Sequence, residues 1–260
     1  MRFRIIFLLF VIFSCSKKEK YEAIQLFGHA GNGLNISNSV YHDNSENSIK
    51  LALAQNGCDG VEVDVQLSKD GIAWLFHDQN LEKETNLNSC INSLSDEEIE
   101  SLSYNHFNDE KLIKLKDLQL KGKSVVLDLR HSNSCENKVV DVNQMIVEIE
   151  LFRQKNSESE IYLNTNYLAW LTPLQSLNLK LCYSPSENEN LDEIVNTYGV
   201  KCFLFKNQEI TKERVETEKN KGNEIIIFEV RSPKGIRSAL NKYPTIILSD
   251  DVKAAIVEKF

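Results

Sequence analysis

Eight short apolar runs, starting near residues 24, 60, 124, 160, 179, 201, 224 and 245, alternate with polar or helix-patterned segments along most of the chain. Strands separated by a dozen or more residues leave room for a crossover and therefore pair parallel. The clearest helical stretch carries Val139, Val142, Met145, Ile146, Ile149 and Phe152 at helical spacing. Others are expected over 211–221, with Gly222 as a stop, and over 251–258. A further helix follows Ser45, a good N-cap residue, and places Ile49, Ala52, Leu53 and Asn56 on one side before Gly57. Eight strand–helix units in about 240 residues fit an α/β TIM (β/α)8 barrel, with no repeat or linker to mark a second domain.

A barrel of this kind gathers functional groups at the C-terminal ends of its strands. His29 follows the first strand, Glu62 and Asp64 end the second, Asp128 and Arg130 end the third, and Asp250 follows the eighth. In the second run, Val61, Val63 and Val65 share one face while Glu62 and Asp64 share the other. Acidic residues are poor strand formers, so two of them beside a valine stripe suggest a ligand set. Ser68-Lys69-Asp70-Gly71 is too short for a crossover, and residues 72–77 are expected to return antiparallel as a hairpin excursion. Pairing Leu67 with Ile72 sets residue 62 opposite 77 and brings His77 beside Glu62. In the long polar segment that follows, Ser95 and Glu98 form a capping box for a short helix ending at Leu102.

Other polar residues have plainer roles. Glu46 is read as a helix N-terminal charge, Asp78 as the group that fixes the turn after the hairpin, and Asp250 as a pocket residue or, preferably, the cap of the last helix. Glu229 is read as a local polar contact, and His42, His106 and His131 receive no role.

The N-terminus carries Arg2 and Arg4 ahead of a nine-residue apolar run over 5–13. That run is far short of the roughly 20 residues that span a bilayer and reads as a signal h-region. The sequence Val11-Ile12-Phe13-Ser14-Cys15 resembles the lipobox of bacterial lipoproteins, with Cys15 as the modified residue. The expected divisions are a signal peptide over 1–14, a lipidated tether over 15–22 and a single barrel domain over 23–260. Removing residues 1–14 deletes two arginines and takes the formal charge from -8 to -10. No basic stretch offsets that balance, which argues against a nucleic-acid partner. Diacylation at Cys15 implies stable anchoring in the cell envelope, and Ser16 in place of an aspartate favours the outer membrane. Five further cysteines remain, an odd number that leaves at least one thiol unpaired. Cys58, Cys182 and Cys202 lie in or beside apolar runs and are expected as small core residues, whereas Cys90 and Cys135 are the candidate pair.

The ordered motifs resemble those of the glycerophosphodiester phosphodiesterase family, whose barrel is shared by the phospholipase D toxins of spiders. The family's H-R-G, P-E-N, E-x-D, H-D and E-x-K elements correspond to His29-Ala30-Gly31, Ser45-Glu46-Asn47, Glu62-Val63-Asp64, His77-Asp78 and Asp128-Leu129-Arg130. A terminal T-D corresponds to Ser249-Asp250, so the set covers nearly all of 24–251. Two positions depart from it. The family's phosphate-contacting arginine is Ala30 here, and its Trp-Thr near the penultimate strand is Phe228-Glu229.

The resemblance implies one divalent cation held by Glu62, Asp64 and Asp128, with His29 and His77 as the acid/base pair and Arg130 on the phosphate oxygens. Elementary electrostatics agrees. Two carboxylates about 4 Å apart repel by about 4 kcal/mol at an effective dielectric near 20, so three clustered ones favour a dication. All-oxygen ligation suits Mg²⁺ or Ca²⁺. The implied substrate is a small-molecule or lipid phosphodiester. The expected activity is hydrolysis; alternatives at the same site are a lyase releasing a cyclic phosphate and an envelope protein that binds phosphorylated headgroups without turnover.

Overall fold

The computed structural model describes residues 21–34, 39–105, 109–132, 135 and 139–260. The signal segment 1–14, the anchor Cys15, the tether through residue 20 and His106 lie outside the described residues. In chain order the strands are β1 (Gln25–Gly28), β2 (Gly60–Leu67), β3 (Ala73–Leu75), β4 (Ile113–Lys114), β5 (Ser124–Leu129), β6 (Ile161–Thr165), β7 (Lys180–Tyr183), β8 (Cys202–Lys206), β9 (Glu224–Val230) and β10 (Ile246–Ser249).

Eight of them are parallel and follow one another in the order β1-β10-β9-β8-β7-β6-β5-β2, and β1 also pairs with β2. That last pairing closes a TIM barrel without a free edge. Each barrel strand begins within one residue of its expected start. The alternation that marked the strands also sorts the core. Phe27, Val126, Tyr162, Ile226, Ile246 and Leu248 fill the lumen. Val61, Val63, Val65, Val125, Leu127 and Leu129 pack outward, against residues such as Met145, Ile149 and Phe152 of the helix Val142–Lys155. Val139 does not join that helix. The Asp141 side chain accepts the Asn143 N–H and starts the helix after it, while Val139 bridges Ser132.

Caps elsewhere follow side-chain chemistry. Ser45 accepts the Ser48 N–H ahead of the helix Glu46–Ala54, and Ser95 with Glu98 completes a capping box ahead of Asp96–Ser101. The last helix, Val252–Lys259, is capped by Asp251, which accepts from Ala254. The cap expected of Asp250 therefore belongs to its neighbour, and Asp250 is free to face the site.

The hairpin forms, one residue out of the expected register. Leu67 pairs with Ala73 and Val65 with Leu75, instead of Leu67 with Ile72. The Gly71 N–H closes a turn on the Ser68 carbonyl, and Gly71 sits at φ 81, a left-handed conformation that adds a residue on the return side. Ser68 then pairs with Ile72. His77 consequently lies past the end of β3, one position along from Glu62 and within reach of the Asp64 charge. From β3 through β4 the excursion has a small core of its own around Trp74, Phe76, Leu81, Ile99 and Tyr104.

The cysteines hold one correction. Cys90 and Cys135 are joined, as expected, which ties the excursion to the segment after β5. Cys182 and Cys202 are also joined, although both were expected as free core residues. They are register partners on the adjacent strands β7 and β8, with side chains on the same lumen face, so pairing satisfies both. Cys58 is the buried free thiol among the described residues.

Candidate active site

Gly28 ends β1 where a Cβ would meet the Gly31 carbonyl oxygen at 1.9 Å, so only glycine allows the chain to fold back this tightly just before His29. The following turn wraps around Glu62. Ala30, at φ 49, donates its N–H to Glu62 Oε2 (2.8 Å), and Gly31 donates to the Glu62 carbonyl (3.1 Å). From β2, Glu62 and Asp64 point into the mouth of the barrel. Parallel register sets Asp64 beside Asp128 of β5. Carboxylate oxygens of Glu62, Asp64 and Asp128 all come within 4.8 Å of one another. His29, His77 and Arg130 complete the wall of the same cavity, about 360 Å³ in volume. The six residues expected as metal ligands, acid/base pair and phosphate contact thus meet in one place.

The two imidazoles share a design. His29 Nδ1 contacts Asp250 Oδ1 at 2.7 Å, leaving Nε2 toward Glu62 at 3.7 Å. His77 Nδ1 contacts Asp78 Oδ1, also at 2.7 Å. A carboxylate on one ring nitrogen fixes the tautomer and orientation of the other. Burial opposes the His29 charge, but the Asp250 hydrogen bond and the charges of Glu62, Asp250 and Asp64 outweigh it and push its pKa up to about 9. For His77, burial is likewise overcome by the Asp78 hydrogen bond and the Asp64 charge, and its pKa is raised. Asp78 thus positions an imidazole rather than only fixing a turn.

The carboxylates diverge in the same field. Burial and the Asp64 charge raise the Glu62 pKa to about 8. Burial acts on Asp64 too, yet Arg130, His77 and an Asn44 hydrogen bond hold it below the usual range. Arg130 donates to Asp64 and lies 3.2 Å from Asp128. Burial and the neighbouring Asp64 charge thus both work against the Glu62 anion, and the cluster draws in the Arg130 guanidinium. Three oxygen donors of this kind fit a hard divalent cation.

Two further residues support the site, and the first of them, Asn44, carried no signal that a period or motif would reveal. Asn44, just ahead of the Ser45 cap, donates Nδ2 to Asp64 Oδ2 (2.9 Å) and accepts the Asp64 N–H (3.0 Å). Asp250, fully buried, accepts from the Leu34 N–H as well as facing His29, and Arg231 Nε donates to its other oxygen at 3.2 Å. The plain readings hold elsewhere. Glu46 pairs with Lys50 one turn along its helix, and Glu229 lies 3.9 Å from Lys206. His42 contacts Glu84 and stacks on Tyr104, and His131 stacks on Tyr167.

Comparison with known proteins agrees with this geometry. The chain is 33% identical over 82 residues to a glycerophosphodiester phosphodiesterase of Bacillus altitudinis. That stretch is 32% of this chain and spans about a third (31%) of the length of the relative. Among solved structures, a phosphodiesterase of Oleispira antarctica in complex with the product sn-glycerol-3-phosphate superposes with a TM-score of 0.77 at 20% identity, covering 92% of this chain and 98% of that one. A glycerophosphodiester phosphodiesterase of Thermotoga maritima gives 0.68 at 19% identity, covering 88% and 96%. At these identities the structural likeness speaks to the barrel alone. The sequence itself matches the pattern of one family continuously from His29 into the last helix, over residues 29–258, and on that match the chain belongs to the glycerophosphoryl diester phosphodiesterase family.

Proposed function

We propose that this chain is a metal-dependent phosphodiesterase that hydrolyses glycerophosphodiesters or related phospholipid headgroup esters. One observation carries the reading: three converging carboxylates flanked by two imidazoles, each oriented by its own carboxylate partner. Glu62, Asp64 and Asp128 would hold one Mg²⁺ or Ca²⁺, which supplies charge neutralisation at a phosphoryl oxygen. The chain's own groups do the rest. His29 and His77 each present Nε2 to the cavity, so one can take a proton from the attacking oxygen while the other gives one to the leaving alkoxide. Arg130, half-buried beside the carboxylates, would meet phosphate oxygens. The product named in the Oleispira antarctica complex, sn-glycerol-3-phosphate, is of the size and charge such a cavity can take.

The test is a turnover panel of glycerophosphodiesters, lysophospholipids and sphingophospholipids with Mg²⁺ or Ca²⁺, read by phosphorus NMR. A phosphomonoester product that disappears on chelation is expected, whereas a cyclic phosphate would mark a lyase. His29→Ala and His77→Ala should each lower kcat by about 10²-fold or more; full activity in either variant sinks the mechanism.

We further propose an envelope location, with Cys15 acylated and the barrel held at a membrane, most simply the outer one. The lipobox-like sequence supports it. Incorporation of labelled palmitate that is lost in Cys15→Ala is the expected result, and equal labelling of both proteins overturns it.

A further inference from the structure

The penultimate barrel strand carries an irregularity that decides what the cavity is lined with. Along β9, Ile225, Ile227 and Val230 pack outward beneath the helices, whereas Ile226 and Phe228 face the lumen. Between Ile227 and Val230 there are two residues, but their partners Ile247 and Ser249 on β10 are separated by one. The extra residue is Glu229, held at φ 57, a conformation that costs a non-glycine residue free energy. A bulge of this kind re-aims the side chains that follow it. Without it, strict alternation would turn Val230 into the lumen and Arg231 out into the helix layer. With it, Val230 stays in the outer core and Arg231 joins the wall of the cavity.

Arg231 is also held there in a particular way. Its Nε donates to Asp250, the same buried carboxylate that orients His29. Its side chain is 61% exposed, and its terminal nitrogens have no partner among the described residues. The other guanidinium on the cavity wall, Arg130, is engaged by Asp64 and Asp128. Arg231 is therefore the cavity's uncommitted guanidinium, anchored at one nitrogen and open at a fork that matches phosphate oxygens.

We propose that Arg231, delivered by the bulge at Glu229, is the residue that anchors the anionic phosphate of the substrate in this site. The identity of that anion rests on the phosphodiesterase reading. Arg231 approaches from the His29 side and Arg130 from the carboxylate side, so the two would bracket a phosphoryl group.

The experiment is calorimetric titration of sn-glycerol-3-phosphate into the wild-type protein, Arg231→Gln and Arg231→Lys, with Mg²⁺ or Ca²⁺ present, alongside steady-state kinetics on a glycerophosphodiester. Loss of a charge-assisted bond predicts affinity weaker by roughly 10- to 100-fold in Arg231→Gln, with partial retention in Arg231→Lys. KM for the diester should rise by a similar factor while kcat changes less. A role limited to holding Asp250 would instead lower kcat and shift its pH profile through His29, leaving affinity for the phosphate alone. Affinity within twofold of wild type in Arg231→Gln overturns the inference, and so does failure of the wild-type protein to bind this probe. If wild type binds it through Arg231 but hydrolyses no diester, the anchor stands and the phosphodiesterase reading falls.

Discussion

Asn44 shows how much of a site can rest on one side chain that does no chemistry. Its amide closes two hydrogen bonds on Asp64, one to the carboxylate and one from the backbone N–H. Its own backbone is held by the Ala30 carbonyl, in the turn that also carries His29. Partners of this kind set the direction in which a ligating carboxylate presents its oxygens, and losing one typically weakens metal binding by 10- to 100-fold. Asn44 sits at φ 55, so Asn44→Gly removes the amide without adding backbone strain. Titration of Mg²⁺ or Ca²⁺ into this variant should show affinity lower by roughly that factor, with the fold intact by circular dichroism. Unchanged affinity would mean that the carboxylates need no orienting partner. Nothing in the sequence marked Asn44, because a lone polar residue in a loop has no period and its partner lies 20 positions away. Asp250 was legible as a pocket residue, yet its role was blurred by Asp251, an equally good cap one position on.

Elements were far more legible than their irregularities. Buried parallel strands need apolar side chains on alternate positions, and that need alone located all eight barrel strands and set Glu62, Asp64 and Asp128 on the lumen side. Two bulge-like departures escaped it. At the hairpin, the left-handed Gly71 adds one residue and moves His77 one position along from Glu62; in β9, the extra residue Glu229 re-aims Arg231. Glycine at least signals that such a conformation is open to the chain, but a glutamate does not. The conformation of Glu229 is imposed by pairing with β8 and β10, which no local pattern reports. The Cys182–Cys202 bridge was hidden for a related reason. Each cysteine sits in an apolar run and reads as core, and only the adjacency of β7 and β8 turns two core thiols into a pair.

At the scale of the whole molecule, closure of the barrel concentrates negative charge that the protein must then tolerate. The chain carries a formal charge of -8, and its fold packs Glu62, Asp64, Asp128 and Asp250 into one end of the lumen. Imidazoles and two guanidiniums offset part of that charge, while burial and the Asp64 charge still raise the Glu62 pKa. A dication bound there relieves repulsion in the folded chain and finds no such site in the unfolded one. It therefore stabilises the fold by mass action, by about 2.7 kcal/mol at a hundredfold excess over its Kd. For a protein of this size about 2–4 °C accompanies each kcal/mol, so Mg²⁺ or Ca²⁺ should raise Tm by roughly 5–10 °C in differential scanning calorimetry. Glu62→Gln keeps the shape of the side chain and removes one of the repelling charges. Its ion-free Tm should equal or exceed that of the wild type, and the ion-induced rise should shrink or vanish. An equal rise in both proteins would place the ion elsewhere on this acidic surface, and no rise in the wild type would leave the carboxylate cluster without the cation its geometry fits.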